Sequence, residues 1–165
     1  MTWHPLPSGP HVGKTVPEVF FEDPDYVLDV IETGEFNGAV LTEAFEVCRL
    51  ARCIRVPRGE DEEQEVVVLY HVLPDRSFGG FVIVAKSDPK LREYERFSVA
   101  SSDNCFDLSI PQRIAPLDER ATKVMIQAVL FQLFGEHAQL TTEECVAFFE
   151  SEENFASRSS KGGER

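Results

Sequence analysis

Three carboxylates recur with helical spacing near the start of the chain, and their pattern suggests binding chemistry. Asp25, Asp29 and Glu32 stand at positions i, i+4 and i+7 of a segment predicted to be helical. Helix neighbours three or four residues apart lie roughly 5–6 Å from each other, not far from the spacing of phosphates along a DNA strand. Such an array could occupy a basic nucleic-acid groove on another protein. The simpler interpretation is a solvated helix face.

The charge around this array is one-sided. The first 47 residues contain nine Asp and Glu side chains but only one Lys or Arg, Lys14, in a chain of 165 residues with a net charge of −13. Such a surface repels phosphate and attracts basic surfaces, which argues against direct, strong DNA binding by this segment. The carboxylates that we predict to contact a protein partner with a basic surface are Asp25, Asp29, Glu32, Glu22 and Glu18.

Arginines provide the one local basic feature. Arg49, Arg52, Arg55 and Arg58 recur every three residues, the first two on one predicted helix face and the last two beyond its end. Together with Lys14, the first three could contact the phosphates of nucleic acid, which would make the chain a direct nucleic-acid binder. The simpler interpretation is that the arginines pair with neighbouring acidic side chains on a solvated surface.

Two patterns resemble catalytic or phosphate-binding motifs but lack required residues. Asp75 in the turn of the predicted hairpin and Lys86 at the end of its second strand resemble the pattern of metal-dependent nucleases, yet Val84 stands where a second metal-binding carboxylate is needed. The run Gly13-Lys14-Thr15 resembles a phosphate-binding loop, but its earlier glycine, Gly9, is one residue too close. We predict no catalytic residues, no metal site and no cofactor.

The cysteines and the hydropathy pattern indicate a cytoplasmic protein. Cys48, Cys53, Cys105 and Cys145 have apolar neighbours and form no C-x-x-C pair, so we predict buried free thiols rather than zinc ligands. We expect no signal peptide and no membrane-spanning segment, because the chain has no apolar run of the required length. Free thiols are typical of a reducing compartment.

Helix signals position the acidic array. Asp23 and Pro24 are a good helix start, because Asp caps a helix and Pro suits its first turn, and Gly34 marks the stop. A second helix is predicted from Thr42 to about Cys53. Further along, helices are predicted at 118–134 and 141–152, and Thr141 and Glu144 have capping-box spacing at the start of the second of these.

Strand signals occupy the middle of the chain. Runs of β-branched and aromatic residues predict strands at 65–73, 80–86, 96–100 and 105–110. The first two form a hairpin, and a turn at 101–104 joins the last two.

The order of these elements predicts an α+β fold. N-terminal helices precede an antiparallel meander of about four strands, and C-terminal helices pack on the sheet. We predict a small helical segment at 1–40, an α+β domain at 41–156 and a disordered polar tail at 157–165. The sequence leaves open whether residues 1–40 pack on the sheet or form a separate lobe.

Residues 9–36 resemble the small domain at the C-terminus of exodeoxyribonuclease X-like proteins. The matching residues are Gly9 with Gly13-Lys14-Thr15, and Asp23-Pro24-Asp25-Tyr26. The rest of the chain resembles proteins of bacterial mobile elements that carry this domain at their start, through runs such as Ile54-Arg55-Val56-Pro57 and Leu133-Phe134-Gly135. The resemblance implies a context of nucleic-acid processing in bacteria or phage, and it implies no activity.

Departures from the family pattern weaken the expected contact with nucleic acid. Pro10 and Val12 stand at positions that are basic in the family, so only Lys14 remains. Asp29 stands where the family has an aromatic residue late in the helix. The catalytic carboxylate domain of the exonuclease has no counterpart in this sequence.

The leading hypothesis from the sequence is a non-enzymatic acidic module that binds a protein in bacterial or phage nucleic-acid processing. A narrower form of this hypothesis is a DNA-mimicking inhibitor of a host defence complex. The alternatives are a direct nucleic-acid-binding accessory protein and, ranked last, a metal-dependent nuclease.

Overall fold

The computed structural model describes residues 2–59, 63–136 and 138–156, so the predicted tail at 157–165 lies outside the described part. Within it are seven α-helices and five strands in two antiparallel sheets, and the predicted α+β class is confirmed. The helices are α1 (Val16–Glu22), α2 (Pro24–Thr33), α3 (Gly38–Leu50), α4 (Leu91–Phe97), α5 (Ile110–Ile114), α6 (Ala121–Phe134) and α7 (Thr142–Glu150). The strands are β1 (Ile54–Arg55), β2 (Val66–Val72), β3 (Phe78–Ala85), β4 (Ala100–Asp103) and β5 (Cys105–Phe106).

Capping residues set helix ends where the sequence predicts them. The Asp23 carboxylate accepts a hydrogen bond from the Tyr26 backbone N–H at 3.3 Å and opens α2. Gly34, with φ of 74°, ends the same helix in the left-handed conformation that glycine adopts without strain. Thr141 and Glu144 form the predicted capping box at the start of α7.

Two other helix starts differ from the prediction. α3 begins at Gly38 rather than at Thr42, and the predicted boundary at residue 40 therefore falls inside this helix. α6 begins at Ala121 rather than at Asp118, because the Asp118 carboxylate accepts a hydrogen bond from the Arg120 backbone N–H and turns the chain before the helix.

The strand predicted over 96–100 is wrong for most of its length. Arg96 belongs to α4, and the strand begins only at the last predicted residue. Phe97 is 72% exposed and Val99 is 58% exposed, so these strand-favouring side chains do not form a buried strand face.

The turn predicted over 101–104 is also wrong, because three of its residues belong to β4 and pair with β2. The reversal is made by Asn104, whose φ of 56° lies in the left-handed region that Asn tolerates. Its side-chain oxygen accepts a hydrogen bond from the Val66 backbone N–H at 2.8 Å. β5 ends after two residues, residues 107–109 form a turn, and α5, with Pro111 in its first turn, begins at Ile110, the last residue of the predicted strand.

β2 is the central strand of a three-stranded sheet with the order β3-β2-β4. The predicted hairpin of β2 and β3 is confirmed, with Val66 opposite Ala85 and a bulge between His71 and Val72. β1 and β5 pair separately, so the predicted strands are divided between two sheets.

Both faces of the three-stranded sheet are packed. Val68 and Tyr70 of β2 point into the main hydrophobic core, against which α6 also packs. On the other face, Val67 and Leu69 form a smaller cluster with Val84 of β3, and Leu91 of α4 packs against it.

Phenylalanine side chains join α1 to α7. Phe20 and Phe21 contact Phe148 and Phe149, with ring centroids 5.3–5.8 Å apart. Phe155 stacks on Phe149, and none of the five rings is more than 8% exposed. Because α1 contributes to the same continuous core as the sheet and α6, residues 1–40 pack with the rest of the chain.

Tyr70 links the sheet to the segment between β4 and α5. Its hydroxyl lies 2.6 Å from Ser102 Oγ and accepts a hydrogen bond from the Asp107 backbone N–H at 3.0 Å. The side chain is fully buried, and this burial raises the pKa of the phenol above its ordinary value.

We expect Tyr70→Phe to lower the free energy of unfolding by about 1–3 kcal/mol, because the half-buried Asp107 N–H loses its acceptor. Urea denaturation followed by circular dichroism measures the change. Tyr94→Phe is the matched control, since Tyr94 is 39% exposed and its loss of a hydroxyl should cost less than about 0.5 kcal/mol. Equal losses in the two variants would contradict the role of the Tyr70 hydroxyl.

Candidate binding surfaces

Asp25, the first carboxylate of the predicted array, has a structural partner. Its Oδ2 accepts a hydrogen bond from the Lys123 backbone N–H at 3.0 Å, and its Oδ1 accepts one from Gln112 Nε2 at 3.1 Å. Lys123 is the third residue of α6, so Asp25 satisfies one of the free N–H groups at the start of a helix about a hundred residues away in sequence. The carboxylate also interacts favourably with the α6 dipole.

Two more of the predicted contact residues are engaged within the fold. Glu18 accepts hydrogen bonds from the Thr15 backbone N–H at 2.7 Å and from Thr142 Oγ1 at 2.6 Å, which tie α1 to α7. Partial burial raises the pKa of Glu18, but these hydrogen bonds outweigh burial and hold the pKa below its ordinary value. Glu22 forms an ion pair with Lys14.

Asp29 and Glu32 remain as the open part of the acidic face. Both are exposed, and neither forms a hydrogen bond or ion pair with the residues that the structure describes. Partial burial, followed by repulsion from Asp25, Glu32, Asp23 and Glu119, raises the pKa of Asp29. The charges of the described residues that act on Asp29 are thus all negative. Glu119, which was not predicted from the sequence, extends this acidic face to the start of α6.

The four predicted cationic contacts do not form one basic surface. Lys14 is paired with Glu22, and the Arg49 guanidinium makes a two-point contact with Glu46 at 2.6 and 2.8 Å. That contact lowers the pKa of Glu46. The Arg55 guanidinium donates to the Phe155 carbonyl at 3.0 Å.

Arg52 differs from the other three cations because its side chain has no partner among the described residues, and it lines a groove between α2, α3 and α5. The groove has a volume of about 750 Å³, and Leu28, Ile31, Phe45 and Cys48 form its apolar floor. Glu32 lies on the α2 side, and Arg113 of α5 lies with Arg52 among the lining residues. The groove thus brings together one predicted carboxylate and two predicted arginines, Glu32, Arg49 and Arg52.

Two residues that line the groove, Phe45 and Arg113, were not predicted from the sequence. Phe45 lies on α3 among apolar core positions, yet it is 54% exposed. Its exposure is determined by how α2 packs against α3. Arg113 lies on α5, and the signal that could have found it is Pro111, which favours a helix start over the predicted strand.

The residues of the two incomplete motifs are not assembled. Asp75 accepts hydrogen bonds from the Ser77 N–H and hydroxyl in the hairpin turn, whereas Lys86 pairs with Glu65 and Asp103 beyond the other end of β3. The eight residues of β3 separate them by roughly 26 Å of extended chain.

The Gly13-Lys14-Thr15 loop is closed on itself. The Gly13 N–H donates to the Leu6 carbonyl, and the Lys14 N–H donates to the His11 carbonyl. These amides are therefore not directed at a bound phosphate.

The remaining predictions about small sites concern cysteines, metals and membranes. No disulfide joins the four cysteines, all of which lie in the described part of the chain, three of them buried and Cys105 half-buried. Among the described residues, no group of three or more His, Cys, Asp or Glu side chains could hold a metal ion. None of the described helices combines the length and the apolar character needed to cross a membrane.

Comparisons of the chain with models of known protein families, with curated proteins and with solved structures find no match. The resemblance of residues 9–36 to the exodeoxyribonuclease X-like domain therefore stays a prediction.

Asp25 and Glu32 lie on the same helix, and we expect their removal to have different effects on stability. Asp25→Ala should lower the free energy of unfolding by about 1–2 kcal/mol, because the first turn of α6 loses a capping carboxylate. Glu32→Ala should change it by less than about 0.5 kcal/mol, since this side chain is exposed and unpaired among the described residues. Denaturant unfolding of both variants tests this, and equal stability of the two would exclude the capping role.

Proposed function

We propose that this chain is a non-enzymatic, acidic module that binds a protein partner through the exposed carboxylates of α2. The partner presents a basic surface, and the proposed context is nucleic-acid processing of a bacterium or phage, which the resemblance of residues 9–36 supports. The proposed compartment is the cytoplasm. Neither an activity nor a cofactor is part of the proposal.

The observation that carries the proposal is the uncompensated charge around Asp29. Asp29 and Glu32 are exposed on one helix beside Glu119, and no cation within the described residues pairs with either α2 carboxylate. A surface of this kind is destabilised by its own repulsion, which a basic partner relieves. The neighbouring Asp25 caps α6, and its charge still acts on Asp29 and contributes to the field of this face.

We expect the double variant Asp29→Lys/Glu32→Lys to lose the partner, because a reversed charge replaces attraction with repulsion. The measurement is a pull-down of the tagged protein from bacterial lysate after nuclease treatment, read by mass spectrometry. The matched control is Glu93→Lys/Glu95→Lys, which makes the same change in net charge on the exposed surface of α4.

A partner retained by the control variant and lost by the α2 variant supports the proposal. Retention by both variants would remove α2 from the interface. A set of captured proteins that disappears on nuclease treatment would mean that the chain holds nucleic acid itself, and the proposal would be wrong.

The narrower form of the proposal is that the α2 face imitates DNA. The alignment of three carboxylates along one helix supports this form, since their spacing is not far from that of backbone phosphates. Duplex DNA should then displace the chain from its purified partner, with the displacement growing as DNA concentration rises. Simultaneous binding of DNA and this chain to one partner, detected by size-exclusion chromatography, would rule out mimicry and leave the acidic module intact.

A further inference from the structure

The groove between α2, α3 and α5 contains two guanidinium groups that the fold does not use. Arg52 follows α3, and Arg113 lies in the last turn of α5. Within the described residues, neither side chain donates a hydrogen bond or pairs with a carboxylate. The chain has a net charge of −13, so two arginines without a carboxylate partner among the described residues make this groove locally positive against a negative surface.

Other polar groups of the groove are already engaged. Ser109 Oγ donates to Asp107 Oδ1 at 2.6 Å, and Gln112 Nε2 donates to Asp25 Oδ1 at 3.1 Å. Arg49 is held by Glu46. Arg52 and Arg113 are therefore the strong donors that remain for a ligand, and their planar groups match the geometry of an oxyanion.

The floor of the groove supplies an apolar contact beside these donors. Leu28 and Ile31 of α2 face Phe45 and Cys48 of α3, and Phe45 is 54% exposed. Cys48 and Arg52 line the same groove, and burial raises the pKa of the Cys48 thiol to about 12. An apolar wall with a few convergent polar groups is typical of ligand sites, and about 750 Å³ lies within their usual range.

We propose that this groove binds a small organic monoanion with an apolar body. The anionic group contacts Arg52 and Arg113, and the body lies on Leu28, Ile31 and Phe45. This site shares Glu32 with the partner-binding face of α2, but its binding of a small anion does not depend on the proposed function.

Glu32 determines which anions the groove accepts. Its carboxylate lies on the α2 wall without a partner among the described residues, and Asp29 lies one turn of the helix before it. These charges repel a second negative group on the ligand, so a monoanion is favoured over a polyanion such as oligophosphate or nucleic acid.

The test uses 8-anilinonaphthalene-1-sulfonate, a fluorescent monoanion with an aromatic body, in titrations of the full chain. Arg52→Ala/Arg113→Ala should weaken its binding about tenfold or more, because two charge-assisted contacts are lost. The control Arg92→Ala/Arg96→Ala removes the same charge from the exposed side of α4 and should leave affinity within about twofold. Equal weakening in both variants would overturn the proposal.

Displacement distinguishes the two parts of the ligand. 1-Naphthoate should displace the probe, whereas 1-naphthalenemethanol, which lacks the anion, and tripolyphosphate, which lacks the body, should not do so at the same concentration. Displacement by the alcohol as readily as by the acid would overturn the role of the arginines.

Amide shifts of the wild-type chain locate the site without any substitution. On addition of 1-naphthoate, the largest changes in the ¹⁵N–¹H spectrum should fall on α2, α3 and α5. Changes centred on α6 or on the sheet would show binding at another apolar surface and would also overturn the proposal.

Discussion

The excess of carboxylates over cations is the constraint on which the rest of the structure depends. With 29 Asp and Glu against 16 Lys and Arg, many carboxylates must be stabilised by groups other than cations. Backbone N–H groups take that role. Asp23 accepts a hydrogen bond from the first turn of its own helix, and Asp25 of α2 accepts one from the first turn of α6. Glu43, only 3% exposed, accepts one from the His4 N–H in the N-terminal segment. The negative charge is thus part of how the helices are fixed to one another. Asp29 and Glu32 form no such contact within the described residues, so they are available to a partner.

The two candidate surfaces meet at Glu32. On one side, α2 presents carboxylates that form no ion pair with the described residues; on the other, the groove presents Arg52 and Arg113 over an apolar floor. Both surfaces depend on the position of α2. Asp23 caps the start of this helix, Gly34 ends it, and the Asp25 carboxylate is hydrogen-bonded to the first turn of α6. A helix fixed in this way keeps its exposed side chains in a defined arrangement, which reduces the entropic cost of binding.

The sequence predicted the elements whose signals are local. The bounds of α2 and the capping box of α7 follow from residues within a few positions of each helix end, and the β2–β3 hairpin follows from its β-branched run. It failed where tertiary contacts decide: Phe97 favours a strand by type but lies exposed at the end of a helix. Two features depend on how distant helices pack: the hydrogen bond between Asp25 and Lys123, and the presence of Arg52 and Arg113 in one groove. No periodicity within a single segment encodes them.

The junction of α1 with α7 has a consequence for the newly made chain. Phe20 and Phe21 pack against rings that lie more than a hundred residues later, at Phe148 and Phe149. Synthesis proceeds at roughly 5–20 residues per second, so these two rings leave the ribosome several seconds before their partners. During that interval the apolar pair is flanked by four carboxylates, Glu18, Glu22, Asp23 and Asp25. The same carboxylates that fix the finished helices keep the unfinished segment charged, and like-charge repulsion between nascent chains opposes their aggregation.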